Sequence, residues 1–158
     1  MRHACLLIAA LTSLGASAAN AATPPITVEQ AWSRATPPGA QTAVVYMTIV
    51  DHGAPDVLTE IATPIAGMAM MHRTVTHDST SQMLPVKTLA VSARQPTVFS
   101  PGGYHVMLMN MHQALVQGQS FPITLTFQHA GKVQATVAVQ AIGAGAPMAG
   151  MDMTMPMK

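Results

Sequence analysis

Pro101-Gly102-Gly103-Tyr104-His105-Val106-Met107-Leu108-Met109 reads as a tight turn running into a strand. Side chains alternate faces along a strand. His105 and Met107 therefore share one face, while Tyr104, Val106 and Leu108 share the other, which has the apolar character of a core face. An imidazole beside a thioether on one strand is half of a soft-metal site. Imidazole suits copper among other metals, and thioether sulfur selects Cu(I). Met109 and Met111 fall nominally on the face of Met107 and could back it, although a bulge or core packing is the expectation for them.

Outward from this stretch the same strand-and-turn grammar continues. Residues 42–50 (TAVVYMTIV) are rich in β-branched side chains and predict a buried strand. Upstream, residues 26–35 end at the turn signal Thr36-Pro37-Pro38-Gly39. Short strands are expected over 57–62, 68–75, 83–86, 89–91 and 97–99, with a polar turn at His77-Asp78-Ser79-Thr80. Downstream they recur over 104–111, 121–129 and 133–140. No stretch carries a helical stripe. Many short strands with frequent turns predict an all-β chain folded as an antiparallel β-sandwich. Trp32 and Met47 are assigned to its core. His52, His77, His112 and His129 sit in or beside turns and are assigned to solvent. The Gly102-Gly103 pair is assigned to turn geometry.

The two ends of the chain differ from this middle. Met1-Arg2-His3, an apolar run to Ala16 and the small-x-small triplet Ala19-Asn20-Ala21 predict a secretory signal peptide over residues 1–21. The apolar run is shorter than the roughly 20 residues a spanning helix needs. No stable membrane insertion is therefore expected after cleavage. A lipoprotein cleavage site is not read, because Cys5 lies at the beginning of the apolar run instead of following it. Cys5 is the only cysteine, so the mature chain has no thiolate and no disulfide. Losing Arg2 takes the balance from seven basic against six acidic residues to six against six, which offers no basic patch for nucleic acid. A single domain is assigned to residues 22–141. Residues 142–158 are assigned to a flexible Gly/Ala linker and a methionine-rich tail, with Met148, Met151, Met153, Met155 and Met157 as possible secondary copper ligands.

The other half of the site lies upstream of His105. His72 and Met83 complete the pattern H-x10-M-x21-H-x-M with His105 and Met107. The turn between His72 and Met83 allows a hairpin on which the two can face each other. Two imidazoles and two thioethers are neutral, soft donors. They suit Cu(I) better than Cu(II), and zinc poorly. Without a thiolate the set does not make a blue-copper electron carrier.

This pattern, with Ala35-Thr36-Pro37-Pro38-Gly39 upstream and the Pro101–Met109 stretch downstream, resembles the periplasmic copper chaperones of the PCuAC family. The resemblance spans about Trp32 to Val139. It implies a cupredoxin-like (Ig-like) β-sandwich that binds Cu(I) through His72, Met83, His105 and Met107. One position departs from it. Many members carry methionine two residues after the first histidine, where this chain has Thr74, and Met70 and Met71 lie close enough to substitute. The resemblance also implies a periplasmic location and a copper-acceptor partner, namely the CuA centre of a haem-copper oxidase or an assembly factor serving it. The alternative is a periplasmic copper-buffering or resistance protein with no dedicated acceptor. An enzyme is disfavoured, since no nucleophile–base pair or clustered carboxylates can be read.

Overall fold

The computed structural model describes residues 25–145. The segment expected to be a signal peptide, with Cys5, and the five tail methionines lie outside the described residues. Ten strands follow in order: β1 (Ile26–Arg34), β2 (Thr42–Asp51), β3 (Asp56–Ala62), β4 (Ala66–His77), β5 (Thr80–Val86), β6 (Leu89–Val91), β7 (Thr97–Phe99), β8 (Tyr104–Met111), β9 (Ser120–Phe127) and β10 (Gly131–Gln140). Among the described residues no helix is long and apolar enough to cross a membrane.

The strands are hydrogen-bonded in the order β5-β4-β8-β7-β2-β1-β10-β9-β3-β6, with β8 also paired to β2. Most pairings are antiparallel, as expected. β1 runs parallel to β10, and β7 meets β8 in a short parallel contact. One core joins the two halves of this order. Val45, Met47, Met71, Val106 and Leu108 come from one half; Leu58, Ile61, Ile123, Leu125 and Val137 come from the other. The expected β-sandwich is therefore observed, and Met47 is in its core at 2% exposure.

Local chemistry explains the corners. The β4–β5 hairpin closes through His77↔Thr80, with Asp78 and Ser79 both at positive φ (46° and 66°). That is the backbone a two-residue hairpin loop needs to match strand twist. Gly102 takes φ 82° in the turn before β8, a conformation glycine adopts without steric cost. At the start of β4, Gly67 lies against Asn110, where an added Cβ would meet the Asn110 Cβ at 3.1 Å. Asp56, at the start of β3, is buried and accepts from the N–H groups of Val57, His129 and Ala130 and from the His129 ring. Burial by itself would raise its pKa, but the four hydrogen bonds outweigh that and hold it at about 2.

Trp32 is buried at 3% exposure, as expected, but it packs apart from the main core cluster. β1 is bulged between Glu29 and Trp32, with Gln30 at φ 50°. The bulge switches the alternation. Ser33 then points inward, fully buried and donating to Val44 O at 2.8 Å. Trp32 turns to the opposite face of the sheet. It packs there on Tyr46 at 4.8 Å between ring centroids, beneath the Arg34 guanidinium.

Candidate metal centre

β4 is the strand that gathers the site, because it pairs with β5 on one side and β8 on the other. Its register against β8 sets His72 directly opposite His105 and Met70 directly opposite Met107. Its register against β5 sets Thr74 opposite Met83 and His72 opposite Pro85. The alternate residues Met71, Val106 and Leu108 belong to the core cluster. His72, His105, Met107 and Met83 therefore share the sheet face that points away from the core. All four residues expected from the sequence are brought to one face of three adjacent strands.

Their exposure is graded. His105 is buried at 4%, His72 and Met107 are half-buried, and Met83 is exposed at 58%. Met83 rides on β5, an edge strand that is exposed along nearly its whole length and holds Pro85 in its ladder. An edge position is where a strand tolerates proline. Met83 does not face His72 directly, as the hairpin reading had it. It lies diagonally across the ladder, two pairs beyond the His72↔Pro85 pair and on the same face. Diagonal neighbours stand about 7–8 Å apart, within reach of long side chains.

The two imidazoles are stacked, with ring centroids 5.9 Å apart and planes 18° apart. His105 Nδ1 lies 3.2 Å from Gly103 O. A carbonyl only accepts, so Nδ1 carries the proton of the neutral ring and Nε2 is left with a bare lone pair. His105 Nε2 is buried and has no hydrogen-bond partner, and the same holds for His72 Nδ1. Gly103 O also accepts from Thr74 N at 3.0 Å, which fixes the carbonyl that orients His105. A ring nitrogen tied to a backbone carbonyl while the other is left free is the usual posture of a metal-ligating histidine. A buried nitrogen without a partner costs roughly 1–3 kcal/mol, and here two occur on one stacked pair. Among the described residues no three His, Cys, Asp or Glu side chains gather to hold a metal, and the side-chain donors nearest this pair in the strand register are the thioethers of Met70, Met83 and Met107.

The neighbouring methionines divide. Met71 is 5% exposed in the core and is removed from the substitutes for the missing methionine at position 74. Met70, opposite Met107, stays on the site face. Met111 is buried in the core beyond Asn110, whose φ is 54°, whereas Met109 remains half-buried opposite Met68. Sequence reading did not single out Met68, which is 49% exposed on the same face. Its spacing of two from Met70 and four from His72 was the available signal. The four turn histidines stand apart from the site. His52 bonds Thr27, His77 pairs with Asp78, His112 lies against Pro64 O, and His129 pairs with Asp56.

Comparison with known proteins agrees with this architecture. The chain is similar to a copper-bound PCuAC domain from PmoF2, with a TM-score of 0.63 and 25% identity over 74% of this chain and 93% of that one. Similarity extends to apo-DR1885 from Deinococcus radiodurans, with a TM-score of 0.60 and 29% identity over 92% of this chain and 99% of that one. The CuI form of DR1885 matches with a TM-score of 0.57 and 30% identity over 77% and 83% of the two chains. The fold is thus the cupredoxin-like β-sandwich of the PCuAC domains. No curated protein sequence matches the chain. The model of the LpqE-like lipoprotein family matches residues 26–139, and the chain belongs to the LpqE-like family.

Proposed function

We propose that this protein is an exported copper metallochaperone. It holds one Cu(I) between His72 Nδ1, His105 Nε2 and the thioethers of Met83 and Met107. The observation that carries this reading is the stacked histidine pair, with its two buried, unpartnered nitrogens on a thioether-bearing face. Copper(I) accepts neutral imidazole and thioether donors and needs no carboxylate. The similarity to a copper-bound PCuAC domain and to CuI-DR1885 supports copper as the cargo. Family membership among lipoproteins supports export, with the periplasm as the compartment.

The gradation of exposure suits a carrier. His105 is inside, whereas Met83 stands at the open edge of the sheet. An acceptor reaches the thioether side first. A thiolate acceptor outcompetes neutral donors for Cu(I), which fits delivery towards a CuA centre or a factor that assembles it. The described residues end next to Ala144, whose carbonyl accepts from Arg34 Nε at 2.7 Å. Arg34 covers Trp32 and Tyr46 on the metal-site face. The methionine-rich tail adds a weaker copper site to this reading.

The test is transfer. Protein loaded with one equivalent of Cu(I) is mixed with an equimolar apo CuA domain. Loss of copper to the acceptor supports the chaperone. Retention supports the buffering alternative. X-ray absorption of the one-equivalent complex should show two nitrogen and two sulfur scatterers, and a fit without sulfur overturns the site.

A further inference from the structure

The outer face of β4 and β8 carries more sulfur than one copper ion uses. Met70 pairs directly with Met107, and Met68 pairs directly with Met109. Directly opposed residues have Cβ atoms about 5 Å apart, and residues two apart on a strand are about 7 Å apart. The four methionines therefore mark a rectangle of about 5 by 7 Å, small enough for long, flexible thioethers to converge on one ion. On the β2 side the rectangle is bordered by Val44 opposite Met107 and Thr42 opposite Met109. At its far end are Gly67 and Asn110, and at its near end are His72 and His105. On the remaining side, towards β3, Glu60 lines clefts with Met68 and Met70, and Lys87 lines the one at Met70, so the four sulfurs are the donors between the strands and these charges stand at the border.

Core packing does not account for these side chains. Methionine fills irregular gaps in cores, but Met68 is 49% exposed and Met70, Met107 and Met109 are half-buried on the solvent side. The solvent face of an antiparallel sheet is ordinarily polar. We infer that Met68, Met70 and Met109, together with Met107, form a second, thioether-only Cu(I) site that abuts the histidine pair. It takes a soft monovalent cation, Cu(I) or Ag(I), and excludes hard divalent ions. Met107 belongs to both sites. An ion bound at the exposed Met68–Met109 end reaches the histidines by exchanging ligands one at a time without leaving sulfur, and no change of oxidation state is involved. The inference rests on the proposed function only for the role of Met107.

The test uses the full chain labelled with 13C at the methionine ε-methyl groups and titrated anaerobically with Cu(I). At one equivalent the Met83 and Met107 methyls should shift. Beyond one equivalent Met68, Met70 and Met109 should shift together. In the His72→Ala/His105→Ala protein the first set is weakened, and the rectangle should still respond. That arm separates failure of this site from failure of the histidine site. The volume-conserving Met68→Leu/Met109→Leu protein should keep the first response and weaken the second by at least tenfold. If the Met68, Met70 and Met109 methyls stay unmoved with several equivalents while the tail methyls shift, these methionines are a packing or protein-docking surface and the inference is wrong.

Discussion

Thr74 stands directly opposite Met83 in the β4–β5 ladder, and its N–H donates to Gly103 O, the carbonyl that also orients His105. A side chain at position 74 therefore sits between the exposed thioether and the buried imidazole. Thr74→Met would add a thioether there without disturbing the backbone hydrogen bond. Cu(I) affinity, measured by competition with a chromophoric chelator, should rise by about tenfold, or ~1.4 kcal/mol. Unchanged or weaker binding would show that position 74 does not reach the metal.

Removing His105 separates copper binding from folding. Its Nε2 is buried without a partner, so the imidazole is not a well-satisfied structural group. His105→Ala should lower Cu(I) affinity by at least about a hundredfold, or ~3 kcal/mol. Denaturant unfolding of the apo protein should change by no more than about 2 kcal/mol. A larger stability loss with unchanged copper binding would assign His105 to the core.

Met107→Ile tests the same division on the sulfur side. Met107 is half-buried and faces away from the core cluster. A swap of similar volume should cost less than about 1.5 kcal/mol in stability while weakening the one-equivalent Cu(I) complex. Loss of folding would instead mean that this face is packed.

Asp56 supplies an acid-sensitive clasp remote from the metal face. Its folded-state pKa is about 2 against an ordinary 3.8, so its contribution is present in full above about pH 4. It is lost as pH falls through about 2. The size should be on the order of 1–2 kcal/mol. Asp56→Asn should lower stability at neutral pH by about that amount and flatten the decline between pH 4 and 2. If the variant loses stability as steeply as the parent in that window, another carboxylate is responsible.

Truncation after Gly145 tests the tail while leaving the Arg34–Ala144 hydrogen bond in place. Total Cu(I) bound should fall, and loading of the histidine site should slow, because a tethered weak site acts at a local concentration on the order of millimolar. Equal stoichiometry and equal loading rate would remove Met148, Met151, Met153, Met155 and Met157 from metal handling.

The strands and the H-x-M pair were legible because they depend on neighbours in sequence. A period of two and turn-forming residues at fixed offsets are local properties, and residues 101–109 carry both. For the same reason the division of β8 into a core face (Val106, Leu108) and a metal face (His105, Met107) was readable from nine residues. What needed the tertiary structure was register. His72 faces His105 and Met83 faces Thr74 only because β4 is hydrogen-bonded to β5 and β8 at particular pairings, and slipping a strand by one residue sends every side chain to the other face. The bulge at Gln30, which turns the buried Trp32 to the opposite face of the sheet, and the positive φ at Asn110, beyond which Met111 is buried, are breaks in alternation that residue type does not announce. The Met68–Met109 pair was invisible for the same reason. Donor types are written in the chain, whereas which donors meet is decided by long-range strand pairing.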